Sequence, residues 1–263
     1  MSIIHKSTAA FATPRQGLEL SQCQFYHTMD IPGVGTIPGF EGGNWDLRPH
    51  LNDLLGDVDF KGKRVLEIGP ASGLLTFEME RRGAQVVSIE IPSNHKYDVV
   101  PYPGIQGDRQ AGVDSAWIYL TNSYWFAHEK SKSTAQVVYA GAYDLDKIDI
   151  GEFDISIMSN MLLHNRDPLK IMENCARITK DQCIVIDIVE HALESSEWPL
   201  MKFQPNPTAA PGQEDWNQWW RLSTHFVKNY LQVMGFGSFK TTKFSPPWNG
   251  IAIDSFRVVG KRP

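Results

Sequence analysis

The chain has 263 residues, 42% of them hydrophobic, enough to bury one substantial core or one core with a small appendage. Its formal charge is −5 and its basic residues are scattered, which argues against a surface built to grip a phosphate backbone. No apolar run approaches the roughly 20 residues that span a bilayer. Cys23, Cys175 and Cys183 share no metal-like spacing, so a reduced, cytoplasmic protein is expected.

Met1–Arg15 lacks an apolar block of signal-peptide length and reads as a short flexible arm. Residues 1–58, rich in glycine, proline and aromatics, read as an extension ahead of a domain over 59–263. From Lys63 onward, short β-branched runs alternate with helical stretches, the pattern of a parallel sheet with crossover helices. Arg64–Ile68 is the first strand, and Leu74–Arg82 is a helix closed by Gly83. Gln85–Glu90 is the second strand. The third is Ala135–Ala140 and the fourth Phe153–Ser159. Asp167-Pro168 opens a helix over Leu169–Ile178, Asp as cap and Pro at the first helical position. Cys183–Val189 is apolar almost throughout and reads as a central strand buried on both faces. Helix Thr224–Met234 ends at Gly235. The runs Ser238–Phe244 and Ile251–Val259 flank a Pro/Gly-rich loop, so they pair antiparallel. Two aromatic-rich insertions, 92–134 and 190–222, are expected to join the N-terminal extension as a cap over the carboxyl ends of the strands.

Val65-Leu66-Glu67-Ile68-Gly69-Pro70-Ala71-Ser72-Gly73 joins a strand, a glycine turn and a helix N-terminus. Glycine lets backbone approach a ligand, and the helix aims its first N–H groups there. The spacing is not that of a pyrophosphate-binding G-x-G-x-x-G. Glu67 would be a poor neighbour for a pyrophosphate but a good one for an ammonium group. Glu90, closing the second strand, is placed to take both hydroxyls of a ribose.

In these residues the chain resembles the class I S-adenosylmethionine-dependent methyltransferases. Glu67, Gly69 and Gly73 match that superfamily's first motif, with Pro70 in the turn, and Glu90 matches its ribose-binding acid. The resemblance implies a Rossmann-like α/β fold, a seven-stranded mostly parallel sheet with an antiparallel last strand, and S-adenosyl-L-methionine as cofactor. It places Ala142 and Tyr143, after the third strand, near the adenine, with Ala142 where an Asp is commoner. It places Asn160, in Met158–Pro168, beside the sulfonium. A narrower likeness lies upstream. Phe25-Tyr26-His27-Thr28-Met29-Asp30, Ile37-Pro38-Gly39-Phe40 and Trp45-Asp46-Leu47-Arg48 resemble the lead-in of the tRNA wobble-uridine (carboxy)methyltransferase group and its uncharacterised relatives.

Methyl transfer needs an aligned acceptor, a dry site and, for a hydroxyl, a base. His164 is the favoured base and His27 the second catalytic candidate; His225 reads as helix packing. Tyr26, Arg48, Trp219, Trp220 and Arg221 are candidate substrate contacts, either arginine serving a carboxylate or phosphate. No metal is expected, Asp187, Glu190 and His191 being the sole local group with ligand chemistry. The leading expectation is methylation of a small aromatic or amphipathic metabolite, at oxygen or nitrogen. A tRNA-modifying enzyme and a non-catalytic cofactor-binding scaffold are the alternatives, and a homodimer stays open.

Overall fold

The computed structural model describes residues 7–103, 106–210 and 212–263. Seven strands form its central sheet: β1 (Arg64–Ile68), β2 (Gln85–Glu90), β3 (Gln136–Tyr139), β4 (Phe153–Ser159), β5 (Thr179–Ile188), β6 (Ser238–Phe244) and β7 (Ser255–Lys261). Their order is β6-β7-β5-β4-β1-β2-β3. Strands β1 to β5 are parallel, and β7 runs antiparallel to both β5 and β6. The chain winds outward from β1 through β2 to β3, then returns to β4 on the other side of β1. Such a reversal leaves a crevice outside the carboxyl ends of β1 and β4, where open α/β sheets bind ligands.

Alternation along each strand divides the core into two layers. Val65, Ile155, Ile157, Ile184 and Ile186 pack with Leu74, Leu75 and Met79 of α1 (Leu74–Arg81) and with Phe25, Met29, Ile37 and Leu47 of the N-terminal extension. Leu66, Met158 and Val185 pack on the opposite face, with Ile171, Met172 and Cys175 of α3 and Val227 and Leu231 of α4. Here α2 spans Gln106–Ser131, α3 Pro168–Arg177 and α4 Thr224–Val233. Asp167 caps α3 by accepting the Lys170 N–H at 3.0 Å, and Ser223 caps α4 by accepting that of Phe226 at 3.1 Å.

Three sequence expectations need correction. The first insertion, expected as part of a cap, is mostly a 26-residue crossover helix, α2, with Trp117, Tyr124, Trp125 and Phe126 buried. The last strand starts at Ser255, not Ile251. Asn249 and Gly250, both at positive φ, form a tight turn that pairs Pro247–Trp248 with Ile251–Ala252 in a separate ribbon. From Ser7 onward the N-terminal arm is docked, not loose. Ser7–Thr8 pairs with Ile148–Asp149, Phe11 bridges to Val138, and the Ala12 N–H donates to the Val137 carbonyl at 2.7 Å. For Phe11 and Ala12 the partners are unpaired backbone groups of β3, an edge strand.

Candidate active site

The turn after β1 owes its shape to backbone that side chains resist. Gly69 and Gly73 sit at φ 72° and 90°, and Ala71 at 50°. A Cβ on Gly73 would lie 2.4 Å from the Phe77 ring, so that position tolerates no side chain. At Gly69 there is room, and conformation alone asks for glycine. Beside the turn lies a cavity of about 30 Å³, bordered by His27, Glu67, Gly69, Pro70, Ala71 and Ser159.

Glu67 points from β1 into buried surroundings. One carboxylate oxygen accepts from Thr76 Oγ1 at 2.5 Å and Ser88 Oγ at 2.8 Å, yet burial pushes the carboxyl up to about 7. Glu90 is likewise raised to about 7, by burial first, with the Glu67 charge adding to the rise. One of its oxygens takes the Ile91 N–H at 2.8 Å. Glu90 and Pro70 meet Tyr124 and Trp125 of α2 and Tyr139 of β3 in an adjoining small cavity. Two acids, neither at ease with its charge, thus flank the glycine turn.

The N-terminal extension covers this turn. The Tyr26 N–H donates to Ser72 Oγ at 2.7 Å, inside the turn itself. His27 borders the cavity, with Nδ1 buried and lacking a hydrogen-bond partner among the described residues; burial lowers its imidazole to about 3. Tyr26 stands edge-on to His27 and Phe40 and tilts against Trp45, which meets Trp248 at 3.6 Å between ring centroids. Arg48 does not belong to this group. Its guanidinium is spent on Asp30 at 2.5 Å and Asp46 at 2.6 Å, and it lines a separate groove of about 560 Å³ along α1. The expectation that Arg48 is free to meet a substrate anion is corrected: two carboxylates already hold it.

His164 also differs from its expected place. It closes a short turn after β4, and Nδ1 donates to the Asn217 carbonyl at 2.6 Å. Burial lowers its imidazole below the ordinary value, and it does not border the cavity at the glycine turn. Asn160, at φ 48°, gives its N–H to the Ile186 carbonyl at 2.9 Å and leaves Oδ1 buried with no partner among the described residues. Trp219 and Trp220 lie in extended chain, Met201–Phe203 pairing antiparallel with Trp220–Leu222. Trp219 Nε1 donates to the Asp98 carbonyl, and the Arg166 guanidinium lies 4.8 Å from its ring centroid. Trp220 Nε1 donates to the Arg166 carbonyl at 3.0 Å. Tyr143 completes the clasp, its hydroxyl donating to Asp98 at 2.5 Å and accepting the Asp167 N–H at 3.0 Å. The Ala142 carbonyl accepts from Asn174 at 3.0 Å. Ala142 and Tyr143 are thus packed against the second core layer.

Asp187, Glu190 and His191 do not gather. Glu190 pairs with Lys202 at 2.7 Å, His191 with Asp254 at 2.7 Å, and Asp187 is buried apart from both. His225, near the start of α4, keeps a buried Nδ1 with no partner among the described residues. Sequence reasoning missed Thr76 and Ser88, although a serine inside the apolar run of β2 was a visible signal. Asp98 carried none, because its role depends on three segments meeting.

The fold, the glycine turn and the two acids now stand beside known proteins. Residues 46–236 match the methyltransferase-domain family. The chain belongs to that family. A ubiquinone biosynthesis O-methyltransferase of Neisseria meningitidis serogroup C is 25% identical over 182 residues, 66% of this chain and 64% of the relative. One from Xanthomonas oryzae pv. oryzae is 30% identical over 132 residues, 49% and 44% of the two chains. The chain thus spans less than two thirds of these relatives' length. The N-terminal domain of EvdMO1, solved with SAH and D-fucose, superposes with a TM-score of 0.53 at 16% identity, covering 92% of this chain and 93% of that one. Magnesium protoporphyrin IX methyltransferase from Synechocystis PCC 6803, with bound SAH, gives 0.52 at 13% identity and 82% of both chains. At such identities the likeness of this methyltransferase domain to the solved structures is one of fold.

Proposed function

We propose that this methyltransferase domain transfers a methyl group from S-adenosylmethionine to oxygen or nitrogen of a small aromatic or amphipathic molecule. The observation that carries the reading is the pair Glu67 and Glu90 beside the glycine turn. Both carboxyls are raised to about 7, so a ligand bringing positive charge and paired hydroxyl donors would stabilise their ionised forms. The turn and Glu67 would hold the amino-acid end, and Glu90 the ribose. Asn160, its Oδ1 unpartnered, would border the reacting centre. When bound, the cofactor supplies a methyl group on a sulfonium, already activated for attack.

What remains for the chain is to orient the acceptor and exclude water. His27 presents a neutral imidazole with an open Nδ1 at the cavity. A ring lowered to about 3 is a poor proton acceptor near neutrality, so its work is to position the acceptor by a hydrogen bond. His164 anchors the Trp220–Leu222 ribbon through Asn217 and keeps a lone pair on Nε2, onto which it would take a proton. Tyr26, bonded to the turn through its N–H, packs against Trp45, which packs against Trp248, and this aromatic surface would suit a flat or apolar acceptor. The curated relatives named as ubiquinone O-methyltransferases support a small-molecule acceptor and oxygen as the methylated atom.

The likeness of the lead-in around Tyr26 and Trp45 to tRNA-modifying enzymes favours a second acceptor class, an RNA base. Calorimetry with S-adenosylhomocysteine tests the cofactor. Transfer of labelled methyl to a panel of small phenols and amines, against bulk tRNA, tests the acceptor. Labelling of tRNA alone would sink the small-molecule reading, and cofactor binding with no turnover on either would favour a scaffold.

A further inference from the structure

A second set of unmet polar groups lies at the carboxyl end of β5, on the face opposite α1. Asp187 alternates with Cys183 and Val185, which puts its side chain in the layer of Leu222, Val227 and Phe256. It is 0% exposed. One carboxylate oxygen accepts the Ile188 N–H at 2.7 Å, and the other has no partner among the described residues. Above it, the Trp220–Leu222 ribbon packs on β5 and brings in Arg221. That guanidinium gives Nη2 to Gln218 at 2.5 Å and leaves Nη1 buried with no partner among the described residues. No ion pair within 4.0 Å joins Asp187 to Arg221 among the described residues, although the guanidinium is near enough to favour the charged carboxylate.

Folding seldom leaves such groups in pairs. A buried donor or acceptor without a partner costs about 1–3 kcal/mol, more when charged. Here an unmet acceptor and an unmet donor lie on two packed strands, and Asn160 Oδ1, just past the end of β4, is also unmet among the described residues. The group that answers both must donate one hydrogen bond and accept another, which a hydroxyl does. A carboxylate or phosphate would suit Arg221 but meet Asp187 as a like charge. An ether would accept from Arg221 and leave Asp187 alone.

We propose that Asp187 and Arg221 form the polar end of the acceptor pocket and select an acceptor carrying a hydroxyl group, which donates to Asp187 Oδ2 and accepts from Arg221 Nη1. This rests on the reading that the acceptor binds at this end of the sheet. It changes the role of Arg221 from anion binder to one half of a donor–acceptor pair.

The test uses the full chain saturated with S-adenosylhomocysteine, and phenol, anisole and benzoate as probes followed by ligand-observed NMR. Binding of S-adenosylhomocysteine is measured first and tests the cofactor reading alone. Wild type should then bind phenol roughly tenfold or more tighter than anisole or benzoate, since a site built around a hydroxyl rejects what lacks one. Asp187→Asn and Arg221→Gln should each remove about tenfold of phenol affinity, and the double variant should lose little more than the worse single one. S-adenosylhomocysteine affinity should stay within about twofold throughout, which a general loss of structure would not permit. Equal binding of anisole or benzoate, no phenol binding, or additive losses in the double variant would each overturn the assignment. Arg221 lies in the half-buried ribbon, so Arg221→Gln gives an answer even if Asp187→Asn folds poorly.

Discussion

Replacing Glu67 by Gln should make the unliganded protein more stable above pH 7 while weakening its hold on the cofactor. The folded carboxyl is raised from an ordinary 4.5 to about 7. Its contribution to stability is therefore fully present below pH 4.5 and is lost as pH rises through about 7, because the unfolded chain ionises first. At about 1.36 kcal/mol per pKa unit, holding the charge at pH 8 costs the wild type about 3 kcal/mol. Gln still accepts from Thr76 and Ser88, but a neutral acceptor gives up about 1 kcal/mol or more of those bonds. The net gain is about 1–2 kcal/mol, or about 3–6 °C in melting temperature for a chain of this size. Thermal melts of both proteins without ligand should show that gain at pH 8 and its disappearance at pH 5. Calorimetry at pH 8 should show S-adenosylhomocysteine binding weakened at least about tenfold, since the ligand's ammonium loses its carboxylate. A variant that melts below wild type by the same margin at both pH values would refute the reasoning. Glu67 would then be an ordinary hydrogen-bonded core acid.

Wild-type cofactor affinity should rise from pH 5 to about 7 and level off above, as Glu67 and Glu90, both at about 7, reach the ionised forms the ligand favours. Calorimetry in buffers of different ionisation enthalpy should count the released protons. Gly73→Ala combines a strained φ of 90° with a Cβ 2.4 Å from Phe77. It should cost about 1–3 kcal/mol in denaturant titrations and abolish cofactor binding. His27→Ala should raise KM for the acceptor more than it lowers kcat, whereas His164→Ala should lower kcat with KM for the cofactor unchanged; the reverse split in steady-state kinetics would exchange their roles. Trp219→Ala removes both the Asp98 bond and the Arg166 stacking partner. Protease sensitivity should then rise within 92–103 and 200–220 before anywhere else.

Much of the sheet was legible because its strands carry their own signal. The β-branched runs, the Asp-Pro start of α3 and the glycines after α1 and α4 act within a few residues, as strand pattern and helix punctuation do. Misreadings arose where partners lie far off in sequence. The aromatics of 92–134 suggest a cap, and their spacing alone does not reveal the helix that carries Trp117, Tyr124 and Trp125. Two parallel strands, β2 and β3, nonetheless require a crossover, and a helix is its usual form. The arm looked loose because its bonds run to the edge of β3, 125 or so positions away. At the site, the glycine turn with Glu67 and Glu90 could be read because one strand–turn–helix unit and the next strand contain them. The engagement of Arg48 by Asp30 and Asp46, and of His164 by Asn217, could not. Charge and residue type are visible in a sequence, but who has already claimed a donor is not.

The clasp joining Asp98, Tyr143, Arg166, Trp219 and Trp220 has a kinetic consequence. Its bonds share members: the Asp98 carboxylate serves Tyr143 and the Arg166 N–H, its carbonyl serves Trp219, and Trp220 holds the carbonyl of Arg166. Breaking any one loosens its neighbours, so the segments should part as a unit rather than fray one by one. Opening of these segments should then be one cooperative step, seen as amide hydrogen exchange at a shared rate across them.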